Sequence, residues 1–127
     1  MDKWQAQQAF WSSFGLPAYD EQSIFTKGDQ PDLPHIRYQS FGGNLEQTAT
    51  LSASLWYKGT AMAQIKQKAT EIERFLKENE PYIIPLDHGY LWIKVPQTIP
   101  FAQPMGSDDD NLLRIVLTVE AESLTAF

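Results

Sequence analysis

From Asn111 to Thr125 the chain alternates with a period of two: Leu113, Ile115, Leu117, Val119 and Ala121 fall on one face, and Arg114, Thr118, Glu120 and Glu122 on the other. Successive side chains of a strand point to opposite faces, whereas a helix would scatter this set around its circumference. The segment therefore predicts a long strand, central or interfacial, within a sheet that buries one face.

Glu46 to Lys58 supplies a second long strand, with Thr48, Thr50, Ser52 and Ser54 opposite Ala49, Leu51, Ala53 and Leu55. Its outer face is polar but uncharged, where a solvated face would normally carry charges, so it is suited to close packing against another surface. His35 to Phe41 alternates as a shorter strand, and Gly42-Gly43-Asn44 reads as the turn of a hairpin. Tyr82–Leu86 and Tyr90–Val95, separated by Asp87-His88-Gly89, make a second hairpin.

Two segments carry helical spacing. Asp2 to Phe14 has Asp2 as N-cap, an apolar stripe of Trp4, Ala6, Phe10, Trp11 and Phe14, and Gly15 and Pro17 as stop signals. The second runs from a cap at Thr60 to about Asn79, with Ala61, Met62, Ile65, Ala69, Ile72, Phe75 and Leu76 at three- and four-residue spacings and a charged opposite face; Pro81 ends it. Gly15 to Pro34 reads mainly as loop with room for one short extended piece. VPQTIPFAQPMGSDDDN reads as irregular too, with Ile99 to Gln103 able to extend locally. The order is that of an α+β fold: a mostly antiparallel or mixed β-sheet with two main helices packed on one face, in a single domain spanning residues 1–127.

The chemistry suggested by individual residues is thin. With no cysteine, disulfides, thiolate metal sites and cysteine nucleophiles are excluded, and a reducing compartment is allowed. Asp87 and His88 are neighbours on a turn, where side chains point apart, and His35 has no nucleophile or metal partner in sequence and reads as a surface or edge histidine. Asp108-Asp109-Asp110 lacks the glycine and twelfth-position glutamate of a calcium loop, so it reads as a solvated or partner-facing acidic loop. Phe41-Gly42-Gly43-Asn44 precedes a strand rather than the helix a phosphate cradle needs. No hydrolase, zinc or redox motif occurs, so the chain is expected to be no enzyme and to need no cofactor. A net charge of −6 disfavours tight binding to nucleic-acid phosphates and suits a basic partner surface. No apolar run spans a membrane and the N-terminus lacks a signal-peptide pattern, which points to folding in the cytoplasm. Four tryptophans and five tyrosines leave aromatic surface as the remaining resource. Trp56, Tyr57, Tyr90 and Trp92 either form an interface or pack the second helix on the sheet.

Three stretches, FWSSFGLPAYDE, TATLSASLWYKGTAMAQIKQKATEIERFL and GYLWIKVPQTIPFAQPMGSDDDNLLRIVLTVEAESLTA, together resemble a family of small minor capsid or tail terminator proteins of long-tailed, siphovirus-like phages. The likeness spans most of the chain in the same order, with no counterpart for Thr26 to Pro34. It implies a virion protein at the head-proximal end of the tail, made in the host cytoplasm, that forms a homohexameric ring on the tail tube protein, ends tube polymerisation and offers the head–tail connector protein a docking surface. DNA can pass through such a ring without being held. The family implies a mixed or antiparallel sheet flanked by helices, and no catalytic residues.

On that reading Ser52 and Ser54 let a neighbouring subunit approach closely, and Trp56 with Tyr57 anchors the seam. The loop from Pro96 to Asn111, with Phe101, Met105, Asp108, Asp109 and Asp110, is expected to be mobile in the isolated subunit and to contact the tube or the next ring. Two alternatives stand beside it: a head-closure or head–tail connector protein, and a monomeric protein-binding module.

Overall fold

The computed structural model describes residues 2–21, 32–40, 49–105 and 111–125. Its elements are α1 (Lys3–Ser12), β1 (Ala18–Asp20), β2 (His35–Tyr38), β3 (Ala49–Lys58), α2 (Met62–Glu78), β4 (Tyr82–Leu86), β5 (Gly89–Lys94), β6 (Ala102–Met105) and β7 (Leu112–Thr125). This is a mixed α+β fold, as the order of periodic segments predicts. The turn at Gly42-Gly43-Asn44, the start of the second long strand before Ala49 and the acidic run Asp108–Asp110 lie outside the described residues.

The strand predicted from the longest alternation, β7, organises the sheet. It pairs antiparallel with β3 along one edge, from Leu112 opposite Lys58 to Ala121 opposite Ala49. Its other edge is shared: the C-terminal half takes β5, from Lys94 opposite Glu120 to Gly89 opposite Thr125, and the N-terminal half takes β6, from Ala102 opposite Leu117 to Met105 opposite Arg114. β5 and β6 are thus one interrupted companion strand. Between the two ladders the seven residues Val95 to Phe101 stand where a regular ladder would place two, opposite Thr118 and Val119, and the Phe101 carbonyl accepts from the Thr118 amide at 2.7 Å. Of these seven, Gln97 to Pro100 are exposed, while Pro96 and Phe101 are buried. The sheet order is β1-β2-β3-β7-β5-β4, with β6 beside β7 and one parallel pair, β1 with β2. The β4–β5 hairpin closes on the two-residue turn Asp87-His88, and Gly89 has φ 131°, a conformation that favours glycine.

One face of this sheet is the core. Leu55, Leu117, Val119, Ala121 and Leu91 are fully buried there, and α2 lays Ile65, Ala69, Ile72 and Leu76 across β3, β7 and β5. The apolar stripe read from the sequence supplies these four residues. Met62, counted in that stripe, is exposed because the helix begins there, and Thr60 does not cap it: the N-cap position is Ala61, with no side-chain hydrogen bond. In α1, Asp2 does cap, within a reciprocal box in which the Asp2 carboxylate accepts from the Gln5 amide and the Gln5 side chain accepts from the Asp2 amide.

α1 packs against both β1 and β4, the two ends of the strand order, so the sheet curls around it. The contact is aromatic. Phe10 meets Trp11, Phe14 and Tyr82 at 4.8, 5.3 and 5.6 Å between ring centroids, Trp11 stacks on Tyr38 at 6.4 Å, and Phe75 of α2 closes the cluster against Phe14 and Tyr82. Most of the aromatic excess is therefore spent on the core. Trp4 lies outside this stripe and is 55% exposed. Gln8 ties the helix to the sheet, donating to the Ala18 carbonyl at 2.9 Å and accepting from the Tyr38 hydroxyl. β1 falls in the segment read as loop with room for one short extended piece, and β6 overlaps the end of the stretch Ile99 to Gln103 read as able to extend locally; neither is assigned as a strand from the sequence. Each is short, and each borrows its ladder from a longer neighbour.

Candidate aromatic and guanidinium pocket on the open sheet face

Among the described residues, neither α1 nor α2 covers the other face of β2, β3, β7 and β6, because both pack on the core face. Residues opposite one another in an antiparallel pair share a face. The registers therefore align His35, Trp56, Arg114 and Met105 in one row across the four strands, and Arg37, Ser54, Val116 and Gln103 in the next. The β3 alternation that makes Leu51, Ala53, Leu55 and Tyr57 face inward puts Ser52, Ser54 and Trp56 outward.

Trp56 lies between two guanidinium groups. Arg37 Cζ is 4.8 Å from the centre of its ring and Arg114 Cζ is 5.3 Å from it. Cations over an indole face are attracted by its quadrupole, by roughly 0.5–1 kcal/mol each where water has access. Arg114 Nε also donates to Ser54 Oγ at 3.0 Å, and Ser54 is buried beneath it. Ser52 donates to Gln39 Oε1 at 3.1 Å. Glu21, Arg37, Gln39, Ser52, Ala53, Ser54, Trp56 and Arg114 line a partly open cavity of about 180 Å³.

His35 sets the position of Arg37. An arginine only donates, so the 2.9 Å bond from Arg37 Nε makes His35 Nε2 the acceptor, leaving the ring proton on Nδ1, which donates to the Asp32 carbonyl at 3.0 Å. The ring is buried and meets Tyr19 edge-on at 5.8 Å. Burial lowers the His35 pKa below its ordinary value; the bond to the Asp32 carbonyl opposes this and the Arg37 charge adds to it. The reading of His35 as a surface or edge histidine is thus corrected. It is a neutral, buried hydrogen-bond relay. Burial likewise lowers the Arg37 pKa, with Glu21 raising it and the Arg114 charge lowering it further. Its ordinary value is so high that the group stays charged.

The residues expected at an interface divide accordingly. Ser52, Ser54 and Trp56 share the outer face and line the cavity, but Ser54 is covered by Arg114, so the small hydroxyl surface foreseen for close approach is an arginine surface instead. Tyr57 points into the core, 6% exposed, because it follows Trp56 by one position on the strand. Phe101 is also core, 4% exposed, and the loop expected from Pro96 to Asn111 contains β6. Met105 is 44% exposed on the row of Trp56 and Arg114. Asp108, Asp109 and Asp110 lie outside the described residues. Tyr90 is exposed, and Trp92 is half-buried with Lys94 Nζ 5.5 Å from its ring centre.

Sequence reading did not single out Arg37, Arg114, Gln39 or Glu21, and placed His35 at the surface or an edge. The available signal was a lone arginine on the outer face of each of two alternating strands, but only the register shows that both reach Trp56. Among the described residues no group of three or more histidine or acidic side chains is placed to hold a metal ion, and no helix is long and apolar enough to cross a membrane. No protein-family model, curated protein or solved structure matches the chain.

Proposed function

We propose that this chain is a structural protein of a long-tailed phage that caps the tail tube as a ring, ends its polymerisation and presents the surface on which the head is joined. The observation that carries this reading is the open sheet face. A sheet face that the helices among the described residues leave uncovered, and bearing Trp56, Arg37, Arg114 and the exposed Met105, has the residue types enriched at protein interfaces rather than a uniformly charged solvated face. The resemblance of the three long stretches supplies the particular assembly, and the mixed α+β fold agrees with the architecture that resemblance implies. An acidic subunit of net charge −6 suits a conduit that must not hold DNA phosphates.

Ring closure multiplies contacts that are individually weak, so a modest seam is enough once each subunit makes two of them. Native mass spectrometry of the concentrated protein, followed by electron microscopy of the assembled species and of isolated tails incubated with it, tests the reading. The expected result is a hexameric ring, free or at one end of the tail. A chain that stays monomeric at every concentration and binds no tail end contradicts it and favours a monomeric binding module.

A further inference from the structure

The cavity beside Trp56 has a polarity that a subunit seam alone does not require. Among the described residues its wall brings the Arg114 guanidinium and the Trp56 indole N–H beside one carboxylate, Glu21, and the Gln39 carbonyl oxygen that Ser52 already uses. Arg114 spends its Nε on Ser54, and among the described residues no carboxylate lies within ion-pairing distance of its guanidinium. Trp56 Nε1 is a buried N–H with no acceptor among the described residues. Buried donors without acceptors are rare in folded proteins and mark a place where an acceptor is missing. Arginine presents its donors as a planar fork that matches a carboxylate with two parallel bonds. The volume sets the size of what can enter. At about 180 Å³ the cavity is below the range of about 300–1,000 Å³ typical of cofactor pockets and suits a side chain better than a cofactor.

We propose that this pocket is a carboxylate-binding site, filled by the acidic side chain of a segment on a neighbouring protein subunit, with Arg114 as the fork, Trp56 as the wall and Arg37, held by His35, as the second cation. The proposal deepens the assembly reading and rests on it for the identity of the partner as a subunit. The carboxylate chemistry rests on the pocket alone. The chain itself offers such segments, with 16 acidic against 10 basic residues and the run GSDDDN. A phosphate-rich polymer is disfavoured by the net negative charge around so small a basic pocket.

The test is a titration of the ¹⁵N-labelled full chain with the peptide acetyl-GSDDDN-amide, with sodium acetate and with inorganic phosphate, following the indole N–H resonance of Trp56 identified by its loss in Trp56→Phe. The peptide is expected to shift that resonance saturably, at concentrations at least tenfold below those acetate requires. Arg114→Gln, checked to be folded by its amide spectrum, should weaken the peptide response tenfold or more, and Arg114→Lys, which keeps the charge but not the fork, should restore only part of it. A peptide that leaves the resonance unmoved, an Arg114→Gln variant that responds like the wild type, acetate acting as well as the peptide, or phosphate saturating at lower concentration would each overturn the proposal. The titration uses the isolated subunit, so a failed pocket appears in the resonance, whereas a failed ring reading appears in native mass spectrometry of the wild type and leaves the titration intact.

Discussion

His35 shows how one buried side chain couples the acidity of the medium to the open face. Its neutral form accepts from Arg37 and donates to the Asp32 carbonyl, and its pKa is held below the ordinary 6.5 chiefly by burial. The unfolded chain therefore takes up a proton at this site at higher pH than the folded chain does. The contribution is fully favourable above about pH 6.5 and is lost as the pH falls from there through the depressed folded value. Thermal melting followed from pH 7.5 to pH 5 should show the wild type losing stability more steeply than His35→Gln, which has nothing to titrate at that position. Parallel curves for the two proteins would mean that His35 is not held neutral. The same protonation removes the acceptor that positions Arg37, while Tyr19, Trp56 and Arg114 remain around it. The ring contact at Trp56 should therefore weaken over the same interval.

At the scale of elements, what was legible in the sequence follows from which interactions are local. α2, β3, β4, β5 and β7 could be placed because each carries enough residues for its periodicity to show, and Ile65, Ala69, Ile72 and Leu76 were already on one stripe. Replacing Ile72, fully buried beneath that helix, with aspartate puts an unpaired carboxylate in the core and should cost several kcal/mol, a large share of the roughly 5–15 kcal/mol that holds a domain of this kind. Unchanged thermal melting of Ile72→Asp would contradict the core assignment. β1 and β6 were not legible because three or four residues carry no period and their pairing is decided by β2 and β7. The burial of Phe101 was hidden for the same reason, inside a run dominated by prolines. The site was partly legible: Trp56, Ser52 and Ser54 lie on its wall, but the arginines come from strands whose register no local pattern gives. The seven-residue excursion between β5 and β6 separates two roles. Phe101→Ala should destabilise the fold by about 3 to 5 kcal/mol, whereas replacing the exposed Gln97 to Pro100 with two glycines should leave it within ~1 kcal/mol of wild type, both read by chemical denaturation. Equal losses in the two variants would show that the whole excursion is structural.

The described residues form a curled sheet closed by an aromatic-faced helix on one side and left open by them on the other, and the proposed role depends on that second side. If Trp56 anchors a seam, Trp56→Ala should cost ~2 kcal/mol or more at each interface, enough to shift a ring to subunits while the monomer, in which Trp56 is only half-buried, still folds. Sedimentation of the variant against the wild type reads this directly, and an undiminished ring would place the seam elsewhere. The most direct measurement of the central claim is electron microscopy of lysates from a phage that lacks this protein alone. The account predicts heads packaged with DNA beside unjoined tails, some of abnormal length because nothing caps the growing tube. Tails of normal length already attached to heads would contradict it, and empty or leaking heads beside normal free tails would place the protein at head closure instead.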